Sequence, residues 1–165
     1  MSKLFRYHRL EDICFVTSVT LNREKVLFDN ATLLEESFEQ LSKRYGFEIV
    51  AYSILPEHFH ALVNCNGNDL ATIMQKVKLS FSKRYRNNAE IKKGQIWQRR
   101  YWDHIIRNES DFNTHIDYIH YNPVKHNLVM RPFEWEFSSI HEYKKMYQDD
   151  WGIKNKLQFD EDFGE

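Results

Sequence analysis

Apolar positions along the chain follow two different periods, and the changes between them mark seven elements. β-Branched and aromatic runs predict four strands, at residues 13–21, 47–55, 58–64 and 101–107. Helical spacing of apolar residues predicts three helices, at about residues 31–45, 70–87 and 110–121. The last 25 residues are polar with scattered aromatics, and we expect the final ten to pack loosely.

The order of these elements, β-α-β-β-α-β-α, indicates the fold class. The short Pro56-Glu57 turn predicts a hairpin between the second and third strands. We therefore predict an α+β fold in which helices pack on one face of a ferredoxin-like antiparallel sheet. Residues 1–145 form the predicted domain, and residues 146–165 form an acidic C-terminal tail. Pro123 disfavours helical geometry at Asn122, so the third helix is expected to end there.

Length and composition fit one folded domain. The chain has 165 residues, of which 42% are hydrophobic and 15% aromatic, enough to form a core. The longest stretch free of charged residues, 58–68, is much shorter than the roughly 18 apolar residues that span a membrane. Cys14 and Cys65 form no metal-binding pair and no disulfide framework. We expect two packed, reduced thiols in a cytoplasmic protein without a membrane partner.

Charge is distributed unevenly along the chain. The net charge of −1 excludes a uniformly basic protein that coats nucleic acid. Residues 76–107 nevertheless carry ten basic and two acidic side chains, with aromatics between them, whereas residues 146–165 carry six acidic and two basic ones. Basic side chains neutralise phosphates and aromatic faces stack on unpaired bases, so this mixture suits single-stranded nucleic acid. The alternative is a solvated helix face with ordinary core aromatics.

His58-Phe59-His60 is the first chemically informative segment. Because side chains alternate along a strand, both histidines point to one face, with Cα atoms roughly 6.5 Å apart. Two imidazoles at this separation can bind one divalent cation. Zinc usually takes a third strong protein ligand, and no cysteine is near in sequence, so oxygen donors with Mg²⁺ or Mn²⁺ fit better. The alternative is one hydrogen-bonded structural histidine beside a solvated one.

The tyrosine-rich residues 115–125, which include the end of the third predicted helix, form the second such segment. Tyr118 and Asn122 are four residues apart and lie on one helix face. A phenol of pKa about 10 can attack phosphorus once a nearby cation or basic group favours loss of its proton. The amide oxygen of Asn122 could turn toward the same cation. Alternatively, Tyr118 is a core residue with a solvated hydroxyl.

The two segments together resemble a known family. Residues 56–63, PEHFHALV, resemble the PxHxHxLV segment of the single-tyrosine HUH transposases, named for His-hydrophobic-His. Residues 118–125, YIHYNPVK, resemble the YIxxNPVK segment of one branch, the REP-associated tyrosine transposases. Four further fragments, FVTSVTLNREKVLF, VKLSFSKRYR, IWQRRYWDHIIRNESDF and WEFSSIHEY, are similar in the same order, so the resemblance spans about residues 12–143.

The resemblance implies roles for individual residues. His58 and His60 would bind the divalent cation, Tyr118 would be the nucleophile, and Asn122 would be the third ligand, where transposon-encoded relatives carry Gln. Tyr121 is a second phenol, but helical spacing turns it about 300° from Tyr118, so we prefer Tyr118. The basic residues expected to bind DNA are Lys78, Lys83, Arg84, Arg99, Arg100 and Arg107.

The resemblance also implies a reaction. Tyr118 would attack a phosphate of single-stranded DNA beside a REP-like hairpin, with Mg²⁺ or Mn²⁺ as the cofactor. DNA would become joined 5′ to the phenol as the 3′-hydroxyl leaves, and a second 3′-hydroxyl could reverse the step without ATP. Members of the family act as monomers or as homodimers with shared sites, so the oligomeric state stays open. Such a protein would be found at the bacterial nucleoid.

Two other functions remain open at this point. The same fold could recognise a DNA or RNA hairpin without cutting it. It could also be a metal-dependent phosphodiesterase that uses water, with Tyr118 as a structural residue. A purely structural role is hard to reconcile with the presence of both segments in one chain.

Overall fold

The computed structural model describes residues 10–148, 150–152 and 157–165, and every predicted element lies within this part of the chain. The strands are β1 (Ile13–Val19), β2 (Glu48–Ile54), β3 (His58–Asn64) and β4 (Trp102–Ile105), and the helices are α1 (Ala31–Tyr45), α2 (Leu70–Ala89) and α3 (Glu109–Lys125). Residues 1–9 of the predicted domain and Asp149, Lys154 and Lys156 of the predicted tail lie outside the described residues.

The four strands form one antiparallel sheet in the order β2-β3-β1-β4. Helix α1 connects β1 to β2, the Pro56-Glu57 turn connects β2 to β3, and α2 connects β3 to β4. This is the ferredoxin-like arrangement, and the predicted fold class is confirmed. The register pairs Thr17 of β1 with His60 of β3, so the second histidine lies at the centre of the sheet.

Helices cover both faces of the sheet, so the prediction that they share one face is wrong. Helices α1 and α2 pack with Phe59 and Ala61 on one face, whereas α3 packs with Phe15 and Leu62 on the other. Six of the seven β3 residues are buried, and such a strand needs a cover on each side. The two histidines of β3 therefore face α3 rather than α1 and α2.

Helix α3 continues through Pro123 to Lys125, which corrects the expected end at Asn122. Proline lacks one backbone donor and restricts the residue before it. Here Asn122 and Pro123 are both buried, and α3 packs against β2 and β3, so tertiary contacts hold the last turn. The backbone N–H of His126 still donates to the carbonyl oxygen of Asn122 at 3.0 Å. Tyr118 and Lys125 are thus presented by one continuous helix.

The C-terminal segment 157–165 packs against the domain, contrary to the expected loose end. Phe163 is only 4% exposed, and its ring centroid lies 5.6 Å from that of Phe15. The hydroxyl of Thr17 donates to the carbonyl oxygen of Phe163 at 2.5 Å. Scattered aromatics in a short polar tail define no clear periodicity, so the sequence pattern does not indicate that the Phe163 ring is buried between the sheet and α3.

Two smaller observations complete the fold. Cys14 and Cys65 are both buried, as expected for packed thiols, and both are free. Among the described residues, no helix combines the length and the apolar character needed to span a membrane.

We expect Phe59→Ala to lower the free energy of unfolding by about 3–5 kcal/mol, because it leaves a cavity in a packed core. The Phe59 ring is fully buried, 5.5 Å from the ring of Phe38 and 5.6 Å from that of Trp97. Urea denaturation measures this loss. Leu79→Ala is the control, because Leu79 is 60% exposed and its truncation should change stability by less than about 0.5 kcal/mol.

Candidate active site

His58 and His60 project from the same face of β3, and both are fully buried. Their ring centroids lie 4.9 Å apart. Burial lowers the pKa of His58, but the carboxylates of Glu165, 3.6 Å from Nε2, and of Glu57, 3.2 Å from Nδ1, outweigh it and raise that pKa above its usual value. At His60 burial prevails and lowers the pKa to about 3. His60 is therefore a neutral imidazole, the form that binds metal ions.

The hydrogen bonds around His60 identify its tautomer. The Thr17 hydroxyl oxygen lies 2.7 Å from Nδ1 of His60. Because this hydroxyl donates its only hydrogen to Phe163, it must accept from His60, so Nδ1 carries the hydrogen. Nε2 is left with a lone pair, 2.9 Å from Oε1 of Glu165. A lone pair facing a carboxylate oxygen is favourable only when a cation or a proton lies between them.

Tyr118 meets the histidine pair from α3. Its ring centroid lies 5.2 Å from that of His60, and the side chain is only 1% exposed. Lys125, two turns further along the helix, donates from Nζ to the Tyr118 hydroxyl oxygen at 2.9 Å. Burial raises the pKa of Tyr118, and Glu165 raises it further, so the phenol keeps its proton in this arrangement. The structure thus brings the predicted nucleophile beside the predicted cation ligands within one chain.

Two buried polar atoms at this site have no hydrogen-bond partner among the described residues: Nε2 of His58 and Oδ1 of Asn122. Both side chains are fully buried, and an unsatisfied buried polar atom costs about 1–3 kcal/mol. Oδ1 of Asn122 has a lone pair, as does Nε2 of His60, and Nε2 of His58 has one when that imidazole is neutral. Imidazole nitrogens together with an amide oxygen suit a divalent cation, so these three residues fit the predicted metal.

Glu165 is the contact that sequence reasoning missed. Its Oε1 accepts from Nδ2 of Asn122 at 2.6 Å and lies 3.1 Å from Nε2 of His126. Its Oε2 accepts from Nζ of Lys125. His58, His60 and Glu165 also form a group whose ligand atoms lie within 4.8 Å of one another and could hold a metal ion. The acidic residues of the tail indicated only a solvated segment, and no local pattern connects Glu165 to β3.

The residues before Glu165 cover the tyrosine. The ring of Phe163 stacks on that of Tyr118, with centroids 3.6 Å apart and planes 8° apart. Gly164 has a φ of +74°, and a Cβ there would lie 2.2 Å from Cβ of Trp102. Only glycine allows the chain to approach β4 this closely. Tyr118 is consequently shielded by a segment whose docking depends on one glycine.

The predicted DNA-binding residues occupy different environments. Arg84 pairs with Glu36 of α1, and Arg107 pairs with Asp111. Lys78 is half-buried, whereas Lys83, Arg99 and Arg100 are exposed. Their role in DNA binding stays a prediction, and those with exposed heads are the better placed for it.

Tyr121, the second phenol of the segment, lies elsewhere on α3. It is buried, and its ring centroid is 6.3 Å from that of Trp151 and 6.2 Å from that of Phe159. The helical spacing has therefore directed it toward other aromatic residues, while Tyr118 meets His60.

A second group with metal-ligating side chains consists of His104, Asp111 and His115. Its carboxylate already accepts from several donors: Oδ2 of Asp111 lies 2.8 Å from Nε2 of His104 and 2.8 Å from the backbone N–H of Arg107. These bonds connect β4 to the first turn of α3. We interpret this group as a structural connection.

Comparison with known proteins agrees with the fold and identifies the family. The profile of the IS200-like transposases matches residues 13–122, which include both histidines, Tyr118 and Asn122. The chain belongs to this family. The predicted enzyme class, a DNA transposase that uses a tyrosine, is confirmed by this match and by the relatives that follow.

Three relatives belong to the branch that the YIxxNPVK segment indicated. The REP-associated tyrosine transposase of Escherichia coli is 34% identical over 156 residues, covering 92% of this chain and 91% of that protein. A Haemophilus influenzae protein provisionally given the same name is 36% identical over 151 residues, covering 84% and 86%. A solved REP-associated tyrosine transposase, described as bound to a REP hairpin, has 30% identity and a TM-score of 0.79, covering 100% and 98%.

Proposed function

We propose that this chain cleaves and rejoins single-stranded DNA beside a hairpin, with Tyr118 forming a 5′-phosphotyrosine intermediate. The observation that carries the proposal is the position of the Tyr118 ring, 5.2 Å from the ring of His60, in a site that also holds two buried polar atoms without a hydrogen-bond partner among the described residues. The solved relative described as bound to a REP hairpin supports hairpin DNA as the substrate. Residues 1–145 would perform the reaction, and the tail 146–165 would cover Tyr118.

His58, His60 and Asn122 would hold Mg²⁺ or Mn²⁺ through Nε2, Nε2 and Oδ1. Such a cation, when bound, neutralises negative charge that develops on a scissile phosphate. Thr17 contributes by holding the hydrogen of His60 on Nδ1, which leaves Nε2 for the metal.

Tyr118 and Lys125 would perform the covalent step. The Tyr118 oxygen forms a bond to phosphorus, the bond from phosphorus to the 3′-oxygen breaks, and the phenol proton ends on the 3′-hydroxyl. The ammonium of Lys125, 2.9 Å from the phenol oxygen, favours the phenolate. A phosphotyrosine is still a phosphodiester, so a second 3′-hydroxyl can reverse the step without ATP.

The position of the Glu165 carboxylate indicates where the substrate phosphate would bind. The carboxylate is an anion held beside Tyr118 by Lys125, His126 and the amide of Asn122. A phosphate diester is also an anion and would need the same donors. Glu165 and Phe163 would therefore leave when DNA enters. All of these groups belong to one chain, so the proposed reaction needs no residue from a second subunit. The DNA substrate would place the reaction in the cytoplasm, at the nucleoid.

The test is incubation of the protein with a hairpin that carries single-stranded flanks, with Mn²⁺, Mg²⁺ or EDTA. A denaturing gel should show a covalent protein–DNA adduct that depends on the metal. Binding without cleavage would instead favour the hairpin-binding module. Metal-dependent cleavage without an adduct would favour a phosphodiesterase that uses water.

We expect His60→Ala to weaken Mn²⁺ binding by at least about tenfold, because it removes a ligand whose lone pair is already oriented. Isothermal titration calorimetry of the metal alone measures this, and circular dichroism verifies folding. His141→Ala is the matched control, because Nε2 of His141 bonds only to the carbonyl oxygen of Trp135. Equal affinity of the His60 variant and the control would exclude His60 as a ligand.

A further inference from the structure

A groove of about 360 Å³ lies between α2 and the segment 95–101 that precedes β4. Its walls include Lys78, Arg86, Arg99, Trp97 and Tyr101, and none of the described residues that line it is acidic. The ring of Trp97 packs 5.6 Å from Phe59, on the α1 and α2 face of the sheet. The groove is therefore on the face opposite the histidines, and the proposed cleavage site does not use it.

Lys78 places a positive charge inside this groove. Its Nζ donates to the carbonyl oxygen of Gln98 at 2.9 Å and lies 5.6 Å from the ring centroid of Tyr101. No described carboxylate forms an ion pair with it, and burial lowers the pKa of Lys78. A half-buried ammonium without a carboxylate would be stabilised by an anionic ligand.

Two further donors on the groove walls have no acceptor among the described residues: Nε1 of Trp97 and Nε of Arg86. Trp97 is 5% exposed, so its indole N–H is denied bulk water as well. Both atoms are closed to solvent, so Lys78 is the group that a ligand in the groove would meet, and it favours a ligand that is negatively charged and rich in acceptor oxygens. A phosphate diester has both properties.

Tyr101 adds a surface for a base. It is partly exposed, and it lines the groove together with the exposed residue Arg99. An aromatic face stacks on an unpaired base, whereas a paired base inside a duplex offers no free face.

We propose that this groove binds one unpaired nucleotide of the single-stranded DNA flanking the hairpin. Lys78 would contact its phosphate, and Tyr101 would stack on its base. This inference rests on the proposed function for the identity of the DNA, but the binding it describes is separate from cleavage. The substrate would be held on both faces of the sheet, with β4 as the edge between them.

The test measures binding of two DNA hairpins by fluorescence anisotropy. Both have the same stem, and only one has an unpaired flank. Every protein carries Tyr118→Phe so that no cleavage occurs. Tyr101→Ala should weaken binding of the flanked hairpin about tenfold, as expected for one lost stacking contact, and should leave the blunt hairpin within about twofold. Tyr101→Phe should bind like the parent, because the ring is kept.

Lys78→Ala should weaken binding of the flanked hairpin and lower the slope of log Kd against log salt concentration by about one. Lys76→Ala is its matched control, on the same helix but over the ring of Tyr45. Unchanged affinity for the flanked hairpin, or an equal loss for both hairpins, would overturn the proposal.

Adduct formation by the protein with Tyr118 intact is measured separately. If the protein with Tyr118 forms adducts but the groove variants bind the flanked hairpin normally, only the groove proposal is refuted. If no adducts form but the groove variants bind the flanked hairpin more weakly, only the cleavage proposal is refuted.

Discussion

Tyr118→Phe is expected to abolish covalent protein–DNA adducts, with a loss of about a thousandfold or more, on the scale seen when a nucleophile is removed. The change deletes one oxygen and keeps the ring that stacks on Phe163 and meets His60. The fold and the metal site should therefore persist. The rate of adduct formation on a denaturing gel gives the effect, and Mn²⁺ affinity shows that the site is intact.

Tyr121→Phe is the control for this variant. It removes a phenol oxygen from the same helix, but the Tyr121 ring lies among Trp151 and Phe159 rather than the histidines. Adduct formation should stay near the level of the parent protein. If the Tyr118 variant still formed adducts while the Tyr121 variant did not, the two tyrosines would have to exchange roles.

Gly164→Ala is expected to raise the initial rate of adduct formation by about tenfold or more, because it favours the state in which Tyr118 is uncovered. The new Cβ would meet Trp102 at 2.2 Å, and the φ of +74° would add strain. The segment would have to leave β4, and with it the stack of Phe163 on Tyr118, which contributes about 1 kcal/mol. The contacts of Glu165 would be lost as well.

Two measurements accompany this prediction. Hydrogen exchange should increase in residues 157–165, which verifies that the segment has been displaced. Gly94→Ala is the matched control, because Gly94 also has a positive φ but nothing within 4 Å of its added Cβ. A lower rate in a protein with a displaced segment would mean that Glu165 belongs to the working site as a metal ligand.

Elements with a strong local pattern could be predicted closely. Helix α1 and strand β3 have the predicted bounds, because apolar spacing defines the first and a tight turn precedes the second. Gly46 ends α1 with a φ of 79°, a left-handed conformation that glycine adopts without strain. The alternation of β3 likewise predicted that both histidines share a face.

Features that depend on distant contacts could not be predicted in this way. Pro123 signals a helix end, yet the burial of the last turn of α3 overrides that signal. The contact between Glu165 and His60 joins residues 105 positions apart, and no local pattern encodes it. The sequence shows that residues 76–107 are rich in basic side chains, but it does not show which of these side chains are paired. Only the structure shows that Arg84 is paired with an acid while Lys78 lies in a groove without one.

Identification of the residue that becomes joined to DNA tests the central claim most directly. The protein would be trapped with a flanked hairpin and Mn²⁺, digested with nuclease and trypsin, and sequenced by tandem mass spectrometry. Our account predicts a nucleotide joined through its 5′-phosphate to the oxygen of Tyr118. A nucleotide on Tyr121 or on any other residue, or cleaved DNA with no modified peptide, would contradict it.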